Sequence, residues 1–143
     1  MAAEKSATVV WKGEDLKFHT SLGGGYEFEM EGPPSPSGGS PVEFLIAGAA
    51  GCTAMDIVHI LRRRRQNITG LEVEIKGVQA EDPPNVFTDA TVVYVVRGED
   101  IDPAAVERAI DLSMTKYCSA SIMLKRAGMN LKTEYRIEEA VVA

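Results

Sequence analysis

Cysteine is scarce in this chain. Its 143 residues include two, Cys52 and Cys118, too few for the multi-disulfide framework of small secreted domains. A chain of this length buries roughly two-thirds of its unfolded surface, so it needs neither a disulfide nor a metal to fold. It is expected to form a single domain over residues 1–143. Positive charge is also short: 15 Lys and Arg against 21 Asp and Glu leave a net charge of −6. A phosphate backbone selects basic surfaces, which excludes nucleic acid as a main partner. The N-terminal MAAEKSATVVWKGEDLKF has no apolar segment ahead of its charges, so no secretory signal is expected, and a cytoplasmic location, where thiols stay reduced, is. Long uncharged apolar runs are lacking as well. The longest candidate, Ser40–Leu61, contains Glu43, Asp56 and His59, whereas a spanning helix needs about twenty nearly uncharged residues. No membrane association is expected.

What is present reads as alternating strands and two helical regions. SATVVWKGEDLKFHTS places β-branched and aromatic residues on both sides of a turn at Lys12–Asp15, which predicts two short strands. GYEFEMEG alternates Tyr26, Phe28 and Met30 with Glu27, Glu29 and Glu31, the pattern of a half-buried strand. Gly32–Ser40 is a Pro/Gly/Ser loop. Ser40 then suits an N-cap and Pro41 a first helical position, with Glu43 at capping-box spacing. The helix runs apolar to Leu61 and ends in Arg62–Arg65, cations where a helix C-terminus favours them. LEVEIKGVQA and NVFTDATVVYVVRG, joined by EDPPN, predict a hairpin. Asp102 and Pro103 open a helix to roughly Lys116, and CSASIMLKRAG a short helix ending at Gly128, with a break near Tyr117–Ser119 left open. LKTEYRIEEA closes as a strand. The order βββ–α–ββ–αα–β is an α+β pattern.

Several residues admit both a chemical and a structural reading. Cys52 lies mid-helix beside Gly48 and Gly51. Each glycine costs a helix up to about 1 kcal/mol against alanine, which asks for a close backbone approach. The thiol is then either a small core residue or a nucleophile activated from elsewhere in the fold. Cys118, sixty-six positions later, is either a buried small residue or a thiol near the start of a helix, where the dipole favours a thiolate. Asp56 and His59 follow Cys52 at i+4 and i+7 on one helix face. They form a base beside a thiol, the start of a metal site, or a polar flank near a helix end. A metal site needs more ligands than the segment offers, and no cofactor is implied. The arginine run is a solvated terminus or an anion patch. Glu43 is explained by the cap, although helix starts also line clefts.

Taken together, GGSPVEFLIAGAAGC with Cys52, TAMDIVHIL after it, and KYCSASIMLKRAG with Cys118 resemble the OsmC/Ohr family of osmotically inducible and organic hydroperoxide resistance proteins, most of all its YhfA-like branch. The resemblance covers nearly the whole chain. It implies an intertwined homodimer, a central helix packed on curved antiparallel sheets, and active sites at the subunit interface. It also implies that Cys52 attacks a hydroperoxide and becomes a sulfenic acid, that Cys118 resolves it to a disulfide, and that a dithiol re-reduces the pair. Glu43 is the candidate for the family's catalytic glutamate.

Two departures stand out. Peroxidase members carry an arginine in the N-terminal β region, whereas this chain has none before Arg62. Lys12, Lys17 and His59 are the alternatives, and lysine lacks the guanidinium fork. The glutamate follows the Ser-Pro step directly in the peroxidases, but here Val42 stands there and Glu43 comes one later, a turn of about 100° around the helix. The expected function is a thiol-dependent hydroperoxide reductase. The alternative is a non-catalytic dimer binding a small apolar or thiol-reactive ligand at the interface.

Overall fold

The computed structural model describes residues 2–32 and 39–139. Most of the loop expected over Gly32–Ser40 lies outside them. The chain divides into two compact units, one up to Leu45 and one from Ile46 onward.

In the first unit, β1 (Ala7–Trp11), β2 (Lys17–Leu22) and β3 (Glu27–Glu31) form an antiparallel meander in that order. The β1–β2 turn falls where the sequence placed it, with Gly13 and Asp15 both at positive φ. Phe28 and Met30 are half-buried as their alternation required, but Tyr26 precedes the strand and is 70% exposed. The Phe28 ring packs 4.8 Å from Phe44, in the first turn of helix α1 (Pro41–Arg63).

The cap of α1 differs in detail from a full capping box. The backbone N–H of Ser40 donates to Glu43 Oε1 at 3.1 Å, and its hydroxyl donates to the same oxygen at 2.9 Å. The hydroxyl would otherwise accept from the Glu43 N–H, which instead meets the Ser40 carbonyl at 3.0 Å. At its other end α1 closes with a Schellman pair: Gln66 N–H on Leu61 O at 2.9 Å and Arg65 N–H on Arg62 O at 3.0 Å. Arg65 takes the left-handed position, φ 59°, that glycine usually fills.

In the second unit, β4 (Asn67–Gln79) and β5 (Phe87–Glu99) form the expected hairpin, and β6 (Asn130–Glu139) runs parallel to β5 on its far side. Parallel neighbours need a long crossover, supplied here by α2 (Pro103–Leu112), a π-helical turn (Ser113–Tyr117) and α3 (Ser119–Arg126). The Asp102 side chain caps α2 by accepting from Ala104 N–H at 3.0 Å. The open question near Tyr117–Ser119 resolves at Cys118, whose extended backbone (φ −79°, ψ 97°) separates the π turn from α3. Gly128, at φ 107°, ends α3 in a second Schellman pair.

The core of this unit follows from periodicity. Val92, Tyr94 and Val96 alternate on one face of β5, Ile57 and Leu61 are one turn apart on α1, and Val106, Ala109 and Ile110 line one stripe of α2. Each fully buried aliphatic side chain stabilises by about 1.5–3 kcal/mol. Among the described residues α1 is the one helix long and apolar enough to cross a membrane by length and composition. A core helix has the same character, and Ile57 and Leu61 on α1 are fully buried.

Candidate functional site

The two thiols come together in the second unit. Cys52 is half-buried on α1 and Cys118 is fully buried; both are free. Helical side chains lean toward the N-terminus of their helix, so the Cys52 side chain lies over the turn that contains Ala49. The Cys118 sulfur packs 4.0 Å from the Ala49 carbonyl, which places both thiols against the same turn, close enough for Cys52 to act on the Cys118 thiol. Sequence spacing gave no hint of this proximity.

Cys118 is held by the start of α3, which it caps. Its sulfur accepts the Ser121 N–H at 3.4 Å and its thiol meets the Ser121 hydroxyl at 3.0 Å. Burial pushes the Cys118 thiol above its ordinary value; the Ser121 hydroxyl and N–H pull it back, and neighbouring Cys52 raises it further. The helix-start environment expected to favour a thiolate is therefore outweighed by burial, because desolvation penalises the charged form. Cys118 is a protonated thiol at neutral pH.

Beside the thiols runs a buried chain of hydroxyls that sequence reasoning missed. Tyr94 OH lies 2.7 Å from Thr53 Oγ1, Thr53 Oγ1 lies 2.7 Å from Ser113 Oγ, and Ser113 Oγ donates to Asp56 Oδ2 at 2.9 Å. Because Ser113 gives its one proton to Asp56, its oxygen accepts from Thr53, and Thr53 in turn accepts from Tyr94. Tyr94, Thr53 and Ser113 are at most 1% exposed. Burial first, with the charges of Cys118 and Asp56 adding and the Thr53 bond opposing, pushes the Tyr94 hydroxyl up to about 12, so it stays a donor.

The other predicted residues take separate places. Asp56 turns to Ser113. His59 lines a cleft of about 400 Å³ with Asp56, Ile60, Arg63, Arg64, Leu112 and Tyr117, so the expected Cys52–Asp56–His59 stripe divides between the hydroxyl chain and this cleft. Glu43 belongs to the first unit, where its carboxylate is held by Ser40. Lys12 and Lys17, also in the first unit, pair with Glu29 at 3.2 Å and Glu14 at 3.8 Å. Among the described residues no three His, Cys, Asp or Glu side chains gather as metal ligands do. Beyond its chain neighbours and the backbone of its own helix, a Cβ added at Gly48 or Gly51 meets no described atom within 4 Å, so the close approach expected there does not come from another element of the described chain.

Residues 33–134 match the family model described as OsmC-like protein. Protein YhfA of Escherichia coli strain K12 is 37% identical over 134 residues, 94% of this chain and 98% of the relative. A hypothetical protein from Aquifex aeolicus VF5 superposes with a TM-score of 0.87 at 26% identity, covering 98% of this chain and all of the other. The organic hydroperoxide resistance protein OhrB of Bacillus subtilis shares the fold, with a TM-score of 0.63 at 19% identity over 94% of this chain and 98% of its own.

Proposed function

Because the chain belongs to the OsmC-like protein family, we propose that it is a thiol-dependent hydroperoxide reductase, with Cys52 as the peroxidatic nucleophile and Cys118 as the resolving thiol. The observation that carries this reading is the unequal pair: a half-buried Cys52 beside a fully buried Cys118 held as a thiol. An attacking sulfur must meet substrate, whereas a resolving one needs only to meet its partner.

The Cys52 thiolate attacks one oxygen of the hydroperoxide. The O–O bond breaks, an alcohol leaves, and Cys52 becomes a sulfenic acid, oxidised by two electrons. Cys118 then attacks the Cys52 sulfur. The S–O bond breaks, the hydroxyl leaves as water with the Cys118 proton, and a disulfide forms. An external dithiol returns both sulfurs to thiols and is itself oxidised. No cofactor enters this cycle.

The assembly is an obligate homodimer in a cytoplasmic setting, with residues 1–143 acting as one OsmC-like domain in each subunit. Leu45 and Met55 on α1 are 51% and 74% exposed, and Tyr117 and Met123 are exposed nearby in sequence; apolar surface of this kind marks interfaces. Light scattering that finds a stable monomer at low micromolar concentration overturns the dimer.

Intact-mass spectrometry tests the chemistry. Wild type given one equivalent of organic hydroperoxide loses two hydrogens, as an internal disulfide requires. Cys118→Ser instead gains oxygen on Cys52 and climbs to sulfinic acid with excess peroxide. Cys52→Ser does neither. A wild type that stays reduced sinks the reading. The lack of any arginine before Arg62 then favours the second reading, an interface that binds a small apolar or thiol-reactive ligand without turning it over.

A further inference from the structure

The hydroxyl chain and the π turn meet at one residue, and that residue links the two thiol-bearing segments. Ser113 accepts the Cys118 N–H on its carbonyl at 2.8 Å, the bond that closes the π turn. Its side chain is bonded to Thr53 and Asp56 of α1, which stand one and four positions after Cys52. A short path therefore connects the thiols: from Cys52 to its neighbour Thr53, across to Ser113, and from the Ser113 backbone to Cys118. Tyr94 supports the path from β5 by donating to Thr53.

Apolar packing alone would not require this arrangement. A buried hydroxyl without a partner costs about 1–3 kcal/mol, and apolar side chains of the same shape would fill the space as well. Hydrogen bonds differ from apolar contacts in being directional. A fully satisfied buried network fixes one register between the elements it joins. A π turn is an uncommon, wide turn that recurs at functional sites; here it delivers Cys118 to α1, and its first residue is the one pinned to α1.

We infer that Ser113 and Thr53, braced by Asp56 and Tyr94, are positioning residues that hold the π turn on α1 in the register that presents Cys118 to Cys52. Their role lies in disulfide closure, and they touch neither peroxide nor reductant. The inference rests on the redox pairing of Cys52 and Cys118 proposed above.

Equilibration with glutathione measures this without peroxide. The reaction is the reduced protein plus one glutathione disulfide giving the Cys52–Cys118 disulfide plus two glutathione thiols. Its equilibrium constant reports the effective concentration of one protein thiol toward the other. Full-length wild type is compared with Thr53→Val, which keeps the side-chain shape and removes the hydroxyl, and with Thr53→Ser, which keeps the hydroxyl. The constant is expected to fall about tenfold in Thr53→Val and to stay within about twofold of wild type in Thr53→Ser. Alkylation of Cys52 in a Cys118→Ser background should proceed at the same rate with and without the added Thr53→Val change, because closure and not nucleophilicity is at issue. Circular dichroism checks the fold of each variant. If Thr53→Val does not fold, Ser113→Ala removes the same cross-link and carries the same tenfold expectation. A disulfide constant unchanged in the folded variant overturns the positioning role and leaves the thiol reading standing. A wild type that forms no Cys52–Cys118 disulfide at any glutathione ratio overturns both.

Discussion

Two polar clusters of this molecule look alike on distance and differ in everything that follows from burial. In the first unit, His19 Nδ1 meets Glu29 at 2.6 Å and its Nε2 meets Glu27 at 3.1 Å, with Lys12 adding 3.2 Å to Glu29. In the second, Tyr94, Thr53, Ser113 and Asp56 are linked at 2.7–2.9 Å. The first cluster carries the formal charges and the shortest bond, yet its side chains are 40–59% exposed, so water replaces any partner it loses. Exposed ion pairs contribute little for that reason. The hydroxyl chain has a single carboxylate, Asp56, at its end, but its three hydroxyl members are shut off from water, and a lost partner there stays lost. Environment, more than bond length, ranks the two.

The largest effect is therefore expected at Tyr94. Tyr94→Phe removes the donor to Thr53 and leaves a buried acceptor unmet, which should cost about 1–2 kcal/mol, read as a lower denaturant midpoint at constant slope. Its pH dependence has a definite sign. The folded hydroxyl sits at about 12 and an unfolded tyrosine ionises near 10. The raised value means that Tyr94's contribution is fully present below about pH 10 and is lost as pH rises toward 12. Wild type should lose stability more steeply than Tyr94→Phe over that range. Equal stability of the two proteins at neutral pH would break the ranking.

Tyr94 also marks the limit of what sequence shows. In TVVYVV it reads as one more member of an alternating strand, and nothing local says that its hydroxyl meets Thr53, forty-one positions away. Strand alternation, the Asp102 cap, the Ser40–Glu43 cap and the Gly128 stop were legible because each depends on neighbours within a few residues. The parallel pairing of β6 and the π turn were not, since one rests on tertiary placement and the other on a backbone bond of altered register. Arg65 is a local case of the same limit. Four arginines read as cations at a helix end, and the left-handed backbone of one of them is visible only in the fold. Both cysteines stood out by rarity. Their unequal burial did not.

A smaller effect is expected at His19, which sequence analysis passed over because an isolated histidine in a strand gives no signal. The register sets His19 directly opposite Glu29. Glu29 first, then Glu27, holds the imidazole above its ordinary value of 6.5. Both glutamates are held below theirs, with the His19 bond the largest cause in each. The raised imidazole contributes fully below about pH 6.5 and loses that contribution as pH rises through its folded value. The lowered carboxylates contribute above about pH 4.5 and lose it as pH falls through theirs. The cluster thus acts in a mildly acidic window. Nuclear magnetic resonance titration should give His19 a midpoint above 6.5, with Glu29→Gln lowering it more than Glu27→Gln. His19→Gln should match wild-type stability once the pH has risen past the raised value of the folded imidazole. If it destabilises the neutral protein as much as Tyr94→Phe does, exposure is not what separates the two clusters.

The smallest effect is expected at Glu43, and it sharpens the comparison from the side of function. The Ser40 backbone N–H, then the Ser40 hydroxyl, holds this exposed carboxylate below its ordinary range. Both bonds are accepted by one oxygen, Oε1, and a glutamine side chain presents a carbonyl oxygen in the same place. What Glu43→Gln loses is the charge near a helix N-terminus, an effect that salt screens at the surface. The charge contributes above about pH 4.5 and is lost as pH falls through the lowered value, so any difference from wild type fades in acid. At pH 7 the melting temperature and the rate of peroxide-driven disulfide formation should both stay close to wild type. Both are measured on the same preparation, one by circular dichroism and the other by intact mass. A fold that stays intact while the peroxide rate falls by orders of magnitude would move Glu43 from the cap into the chemistry. An exposed carboxylate would then govern turnover more strongly than the buried chain beside the thiols.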